Sequence, residues 1–161
     1  MCLRSPKKIT ISEPMTVYKV YGIAIDDGAL QSPVMKSRGY ELGVKLVAKS
    51  RPPGPYGKLS IYLDHFSHDL GTNINDLVED AQDFHGAFHS FKNLDDAKSW
   101  SHRFSIFMHF NKYVICKCTI PADTKYIYEG VVVPYDGYEF TGYASESIIL
   151  DEIVYEEEYQ A

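Results

Sequence analysis

Cysteine is scarce in this chain. Of 161 residues only Cys2, Cys116 and Cys118 are cysteines, which is too few to close a disulfide framework and predicts folding in a reducing compartment. Long apolar runs are missing as well: none reaches the ~18–20 residues that a spanning helix needs. The basic N-terminus around Arg4, Lys7 and Lys8 has no apolar stretch behind it to act as a secretory leader. The expectation is a cytoplasmic protein with no membrane partner, its N-terminus part of the mature chain. Positive charge is also in short supply. Sixteen Lys and Arg stand against 22 Asp and Glu, a net charge of −6, so a broad basic face for duplex nucleic acid is not expected, while a small local pocket of Arg and Lys that holds one phosphate-bearing ligand stays compatible with this balance. There is no internal repeat, and no motif as specific as a Walker loop or a zinc finger.

Aromatic and apolar residues are plentiful. Hydrophobic residues make up 45% and aromatics 14%, with 13 tyrosines, enough for one packed core in a chain of single-domain length. Five of the negative charges lie together at Asp151, Glu152, Glu156, Glu157 and Glu158, leaving the rest of the chain nearly neutral. The reading is a single domain over residues 1–155 with an acidic, solvated tail over 156–161.

The stretch VYKVYGIAI, Val17 to Ile25, predicts a strand stopped by the turn residues Asp26-Asp27-Gly28. Period-two alternation places Val17, Lys19 and Tyr21 on one face and Tyr18, Val20 and Gly22 on the other, so Lys19 falls among buried neighbours and needs a partner or a way out to water. VKLVA and LSIYLDHF predict further strands, RPPGPYGK a loop with a PxxP spacing from Pro52 to Pro55, and Ile74 to Ala81 a short helix capped by Asn73. AFHSF alternates as a strand. Asn93 is a good N-cap for LDDAKSWSHRF, in which Asp95 and Asp96 favour the helix dipole and Leu94, Ala97, Trp100 and Phe104 form the buried stripe, a helix over about 93–104. YVICKCTI, KYIYEGVVV and ESIILDEIVY predict the closing strands, with a Tyr- and Gly-containing link before the last. This order predicts an α+β domain with a mixed or mainly antiparallel sheet and an irregular middle region.

Cys116 and Cys118 share a strand face with Val114 and Ile120, as core thiols or as half of a metal site. Removal of Met1 would place the Cys2 thiol beside a free α-amine, an N-terminal nucleophile arrangement, although Leu3 follows where amidotransferases of that type carry glycine. His65, His68, His85, His89, His102 and His109 invite a metal reading, but the His85 and His89 spacing would face a metal only on a helix, so no metal is expected. His89 is a candidate lining residue of a cleft. Tyr126, Tyr128, Tyr135, Tyr138 and Tyr143 form either a partner surface or a buried cluster.

The pattern MCL, VYKV, FHSFKNLDDAK, YVICKCTIP and YASESIILDEI, spread over most of the chain, resembles a family of small uncharacterised phage and prophage proteins. The resemblance implies a virus-encoded accessory protein in the host cytoplasm or the virion. The layout also resembles the ADP-ribosyltransferases. That resemblance implies NAD as the candidate cofactor, Lys19 in the place of the basic first-strand residue that contacts phosphate or ribose, Ser90 in the middle-strand place, and Glu146 as the catalytic carboxylate. Lysine stands where the family prefers arginine or histidine, Ser90 is followed by Phe91 and Lys92 and not by Thr-Ser, and Ser147 offsets Glu146 from the apolar run. These departures imply a degenerate cleft in which Lys19, His89 and Ser90 bind a nucleotide-like or phosphate-bearing ligand. The alternative is a non-enzymatic interaction or virion-assembly protein that meets a viral or host partner through its tyrosine-rich C-terminal third.

Overall fold

The computed structural model describes residues 3–31, 40–48, 81–82, 87–103, 110, 112–132 and 139–158. Ten strands and one helix lie among them: β1 (Leu3–Ile9), β2 (Met15–Ile23), β3 (Leu30–Gln31), β4 (Lys45–Val47), β5 (Ala81–Gln82), β6 (Phe88–Phe91), α1 (Leu94–Arg103), β7 (Lys112–Ile120), β8 (Ile127–Val132), β9 (Phe140–Ser145) and β10 (Ser147–Glu158). The fold is α+β. All strand pairs are antiparallel, in the order β4-β10-β7-β2-β6-β9-β8-β1-β5, with β3 beside β2.

Local chemistry accounts for the clearest elements. The Asp26-Asp27-Gly28 turn closes the β2–β3 hairpin: Gly28 takes a φ of 70°, which costs glycine little, and Asp27 Oδ1 accepts the Ala29 N–H at 3.0 Å. The side chain of Asn93 caps α1 by accepting the Asp96 N–H at 2.8 Å. Leu94, Ala97 and Trp100 face inward from the helix, and the Trp100 ring lies 5.5 Å from that of Phe91. After β7, Pro121 stops the ladder and Thr124 Oγ1 donates to the Pro121 carbonyl at 2.6 Å, turning the chain into β8.

The sheet separates two cores. On the helix side, α1 packs with Val20, Phe91, Tyr113, Ile115, Phe140 and Ala144. On the other side lie Val17, Tyr21, Cys116, Cys118, Tyr143 and Leu150 among others, with Leu30, Tyr40 and Leu46 packed against them. One junction is thin. The ladder between β2 and β6 consists of the single pair Tyr18 and Phe91, whereas β2 pairs with β7 from Met15 to Gly22. The sheet is thus two well-laddered halves joined at a narrow seam.

Three elements differ from the sequence-based expectation. β1 contains Pro6 and two lysines, a composition that argues against a strand; its register shifts between Arg4 and Lys7, so the proline occupies an irregularity in the ladder. The link before the last strand contains β9, whose Gly142 is required by close approach: a Cβ there would lie 2.8 Å from a Val132 methyl and 3.2 Å from the Ser90 carbonyl oxygen. Residues 156–158 do not form a tail outside the fold. They continue β10, with Glu156, Glu157 and Glu158 opposite Val114, Tyr113 and Lys112. Outside the described residues lie LSIYLDHF, the Pro52–Pro55 loop, Cys2, Phe104, residues 74–80 of the short helix expected to end at Ala81, and His65, His68, His85 and His109.

Candidate ligand site at the seam of the sheet

Alternation along β2 points Lys19 toward the face opposite the helix, between Val17 and Tyr21. Its strand neighbour on β7 is Cys116, with Cys118 opposite Val17. The ammonium crosses the seam, where Lys19 Nζ donates to the His89 carbonyl oxygen at 2.8 Å, and it stands 5.4 Å from the centre of the Tyr21 ring. Where the ladder has shrunk to one pair, the lysine supplies a rung that backbone N–H groups would otherwise make.

This setting weakens the charge. Burial lowers the Lys19 pKa to about 8. Both thiols are themselves neutral at pH 7: burial pushes Cys116 up to about 11 and Cys118 higher still, and the Cys118 thiol donates to the Cys116 carbonyl at 3.3 Å. Among the described residues no carboxylate pairs with Lys19.

The pairing of Tyr18 with Phe91 brings Ser90 alongside Lys19 on the same face. Ser90 is fully buried, and its hydroxyl, like that of buried Tyr21, has no hydrogen-bond partner among the described residues. Register extends the polar row: Ser90 pairs with Tyr143, Tyr143 with Glu129, and Glu129 with exposed Lys7. The Tyr143 hydroxyl is pushed up to about 12, by burial first and then by the charge of Glu129 and its hydrogen bond. Cys116, Lys19, Ser90, Tyr143, Glu129 and Lys7 therefore follow one another across β7, β2, β6, β9, β8 and β1.

Of the residues proposed from the sequence, Lys19, His89 and Ser90 meet at the seam. His89 contributes its carbonyl oxygen there; its side chain shares the helix-side face with Ala144, its partner on β9. Glu146 lies elsewhere, at the corner between β9 and β10, three residues past Tyr143. Its buried carboxylate accepts the Lys125 N–H at 3.0 Å, its own N–H donates to the Tyr126 carbonyl at 3.2 Å, and its carbonyl accepts the Ala48 N–H at 2.7 Å. Sequence reasoning missed Tyr143 and Glu129 as members of the row that starts at Lys19. Only strand register unites them with it, and β9 lies in the segment expected to be a link.

A second polar cluster lies on the helix side. Glu157 accepts hydrogen bonds from Tyr113 and, at 2.8 Å, from Tyr155, with His102 Nε2 at 3.3 Å and the Lys98 ammonium 4.4 Å from the Tyr155 ring centre. These hydrogen bonds hold the Glu157 carboxyl below its usual range. Of the C-terminal tyrosines, Tyr143 belongs to the core, Tyr126 and Tyr128 are partly buried with rings 6.0 Å apart, and Tyr135 and Tyr138 lie outside the described residues. No helix among the described residues is long and apolar enough to cross a membrane. Comparison with protein families, with curated proteins and with solved structures finds no match to this chain.

Proposed function

We propose that this protein is a phage-type accessory protein of the host cytoplasm that binds a phosphate-bearing, nucleotide-like ligand at the Lys19–Ser90 seam, in a degenerate ADP-ribosyltransferase-like cleft. One observation carries the reading: a partly buried ammonium beside an unsatisfied hydroxyl, with neutral partners and no carboxylate among the described residues. An anion arriving there restores the charge that burial disfavours, and a serine hydroxyl is a natural donor to a phosphate oxygen. Binding then weakens as pH rises through about 8, where Lys19 loses its proton.

The test is a thermal-shift series with inorganic phosphate, NAD, ADP-ribose, cyclic dinucleotides and nucleoside triphosphates. A ligand at about 100 times its dissociation constant adds roughly 2.7 kcal/mol and moves the melting point by several degrees. The shift should vanish in Lys19→Met. A wild-type protein that shifts with none of these ligands overturns the reading. A transferase step would further require that Glu146→Gln abolish label transfer from NAD; unchanged transfer removes Glu146 from any such step. The competing reading, a protein-interaction or assembly role, is favoured by the partly exposed Tyr126–Tyr128 pair, since aromatic rings with polar tips suit partner surfaces.

A further inference from the structure

We infer that Lys19 is a nucleophilic amine that captures an aldehyde or ketone at the seam as an imine. The inference rests on the seam site of the preceding reading and adds a covalent step to it. A lysine becomes a nucleophile when it is held out of water without a counter-charge, since the neutral amine, not the ammonium, carries the lone pair. Lys19 meets both conditions. Its hydrogen-bond acceptor is the neutral carbonyl of His89, its β7 neighbours are protonated thiols, and no carboxylate among the described residues pairs with it. As a residue Lys19 is partly buried and not fully enclosed, and propanal, a small aldehyde, is the probe of access to its Nζ.

The step balances without an oxidant or a reductant. The Nζ lone pair attacks the carbonyl carbon, giving a carbinolamine after a proton moves from nitrogen to oxygen. Loss of that hydroxyl with a proton, as water, leaves the Nζ=C bond. Ser90 lies opposite Lys19 across the seam and Tyr21 shares its face of β2, and the hydroxyl of each is buried and without a hydrogen-bond partner among the described residues. Ser90, beside Lys19 across the seam, is the better placed to hydrogen-bond the carbonyl oxygen as it gains charge.

With a pKa of about 8 for Lys19 against the ordinary 10.5, its neutral fraction at pH 7 is on the order of a hundredfold larger than that of a lysine with the ordinary value. The experiment treats the folded protein with propanal and cyanoborohydride at pH 7 and maps modified lysines by mass spectrometry. Lys19 should be alkylated at least tenfold faster than the exposed Lys92 and Lys125. Its rate should level off above a midpoint near pH 8, and the preference should disappear in guanidinium. Ser90→Ala should slow Lys19 severalfold and leave Lys92 and Lys125 unchanged. Labelling of Lys19 no faster than theirs in the wild-type protein overturns the inference. Thermal shifts with phosphate and nucleotides on the same preparation separate the two ideas. A shift without selective labelling leaves the anion site and removes the amine chemistry; selective labelling without a shift does the reverse.

Discussion

At Lys19 the cost of keeping a cation from water falls on the folded state alone, because the unfolded chain hydrates the same ammonium fully. Its folded pKa of about 8 lies below the ordinary 10.5, so between those values the unfolded chain holds more protons and stability rises with pH. Below pH 8 the penalty is present in full. Lys19→Met should therefore stabilise the protein at pH 7 by about 1–2 kcal/mol, a gain that shrinks toward pH 10.5. Urea titrations at pH 7 and pH 10 read this directly, and an equal gain at both would assign the effect to packing. The thiols follow the same logic with opposite charge. Cys116 and Cys118 are fully buried and their pKa values are raised, so both should react with a disulfide reagent at pH 8 at least about 100-fold slower in the folded protein than in guanidinium. That Lys19 sits among buried residues was legible from alternation in VYKVYGIAI. That it faces neutral thiols and a carbonyl oxygen was not, since those partners lie 70 or more residues away in the chain.

Among the elements, β2, β7 and α1 could be read because their signals are local: β-branched runs between turn residues, and an Asn cap followed by carboxylates and a three-to-four apolar spacing. β1 and β9 could not. Pro6 and Gly142 each weaken an isolated strand, and each is accommodated by its neighbours, one at a register shift and the other where Val132 and the Ser90 carbonyl approach too closely for a side chain. Two substitutions rank these effects. Asn93→Ala removes the acceptor of the Asp96 N–H and should cost about 1 kcal/mol. Gly22→Ala should cost more, roughly 2–3 kcal/mol, because the new Cβ would lie 2.5 Å from the Phe110 ring and force the ring or β2 to move. Denaturant midpoints of the two variants test the order; a Gly22→Ala protein as stable as Asn93→Ala would mean that Phe110 yields freely.

For the whole molecule, the acidic C-terminus is where composition misleads most. Charge alone suggests a solvated tail, yet Glu156–Glu158 pair with β7, Glu157 gathers Tyr113, Tyr155 and His102, and Glu156 forms an ion pair with Lys112 at 2.6 Å. Deleting residues 156–161 should therefore destabilise by about 2 kcal/mol or more, lowering the melting point by roughly 4–8 °C, whereas loss of a true tail would leave it unchanged. Glu157 also sets an acid limb. Its folded pKa is depressed, so its contribution is present above the ordinary carboxylate range and is lost as pH falls through the folded value. Glu157→Gln should flatten the stability profile on that limb, measured by denaturant titration from pH 6 down to pH 3.

The sequence by itself determined what depends on near neighbours: the α+β class, the α1 cap and stripe, the hairpin turn after β2, and the face on which Lys19 and the two strand cysteines lie. The tertiary structure decided what depends on register between distant strands. It reduced the β2–β6 ladder to one pair and carried Lys19 across to His89. It aligned Ser90 with Tyr143 and Glu129, set Glu146 on the Lys125 N–H, and drew the acidic terminus into the sheet. The physical reason is that a strand's alternation fixes which side chains share a face, whereas the groups they meet are chosen by hydrogen-bond register between segments far apart in the chain.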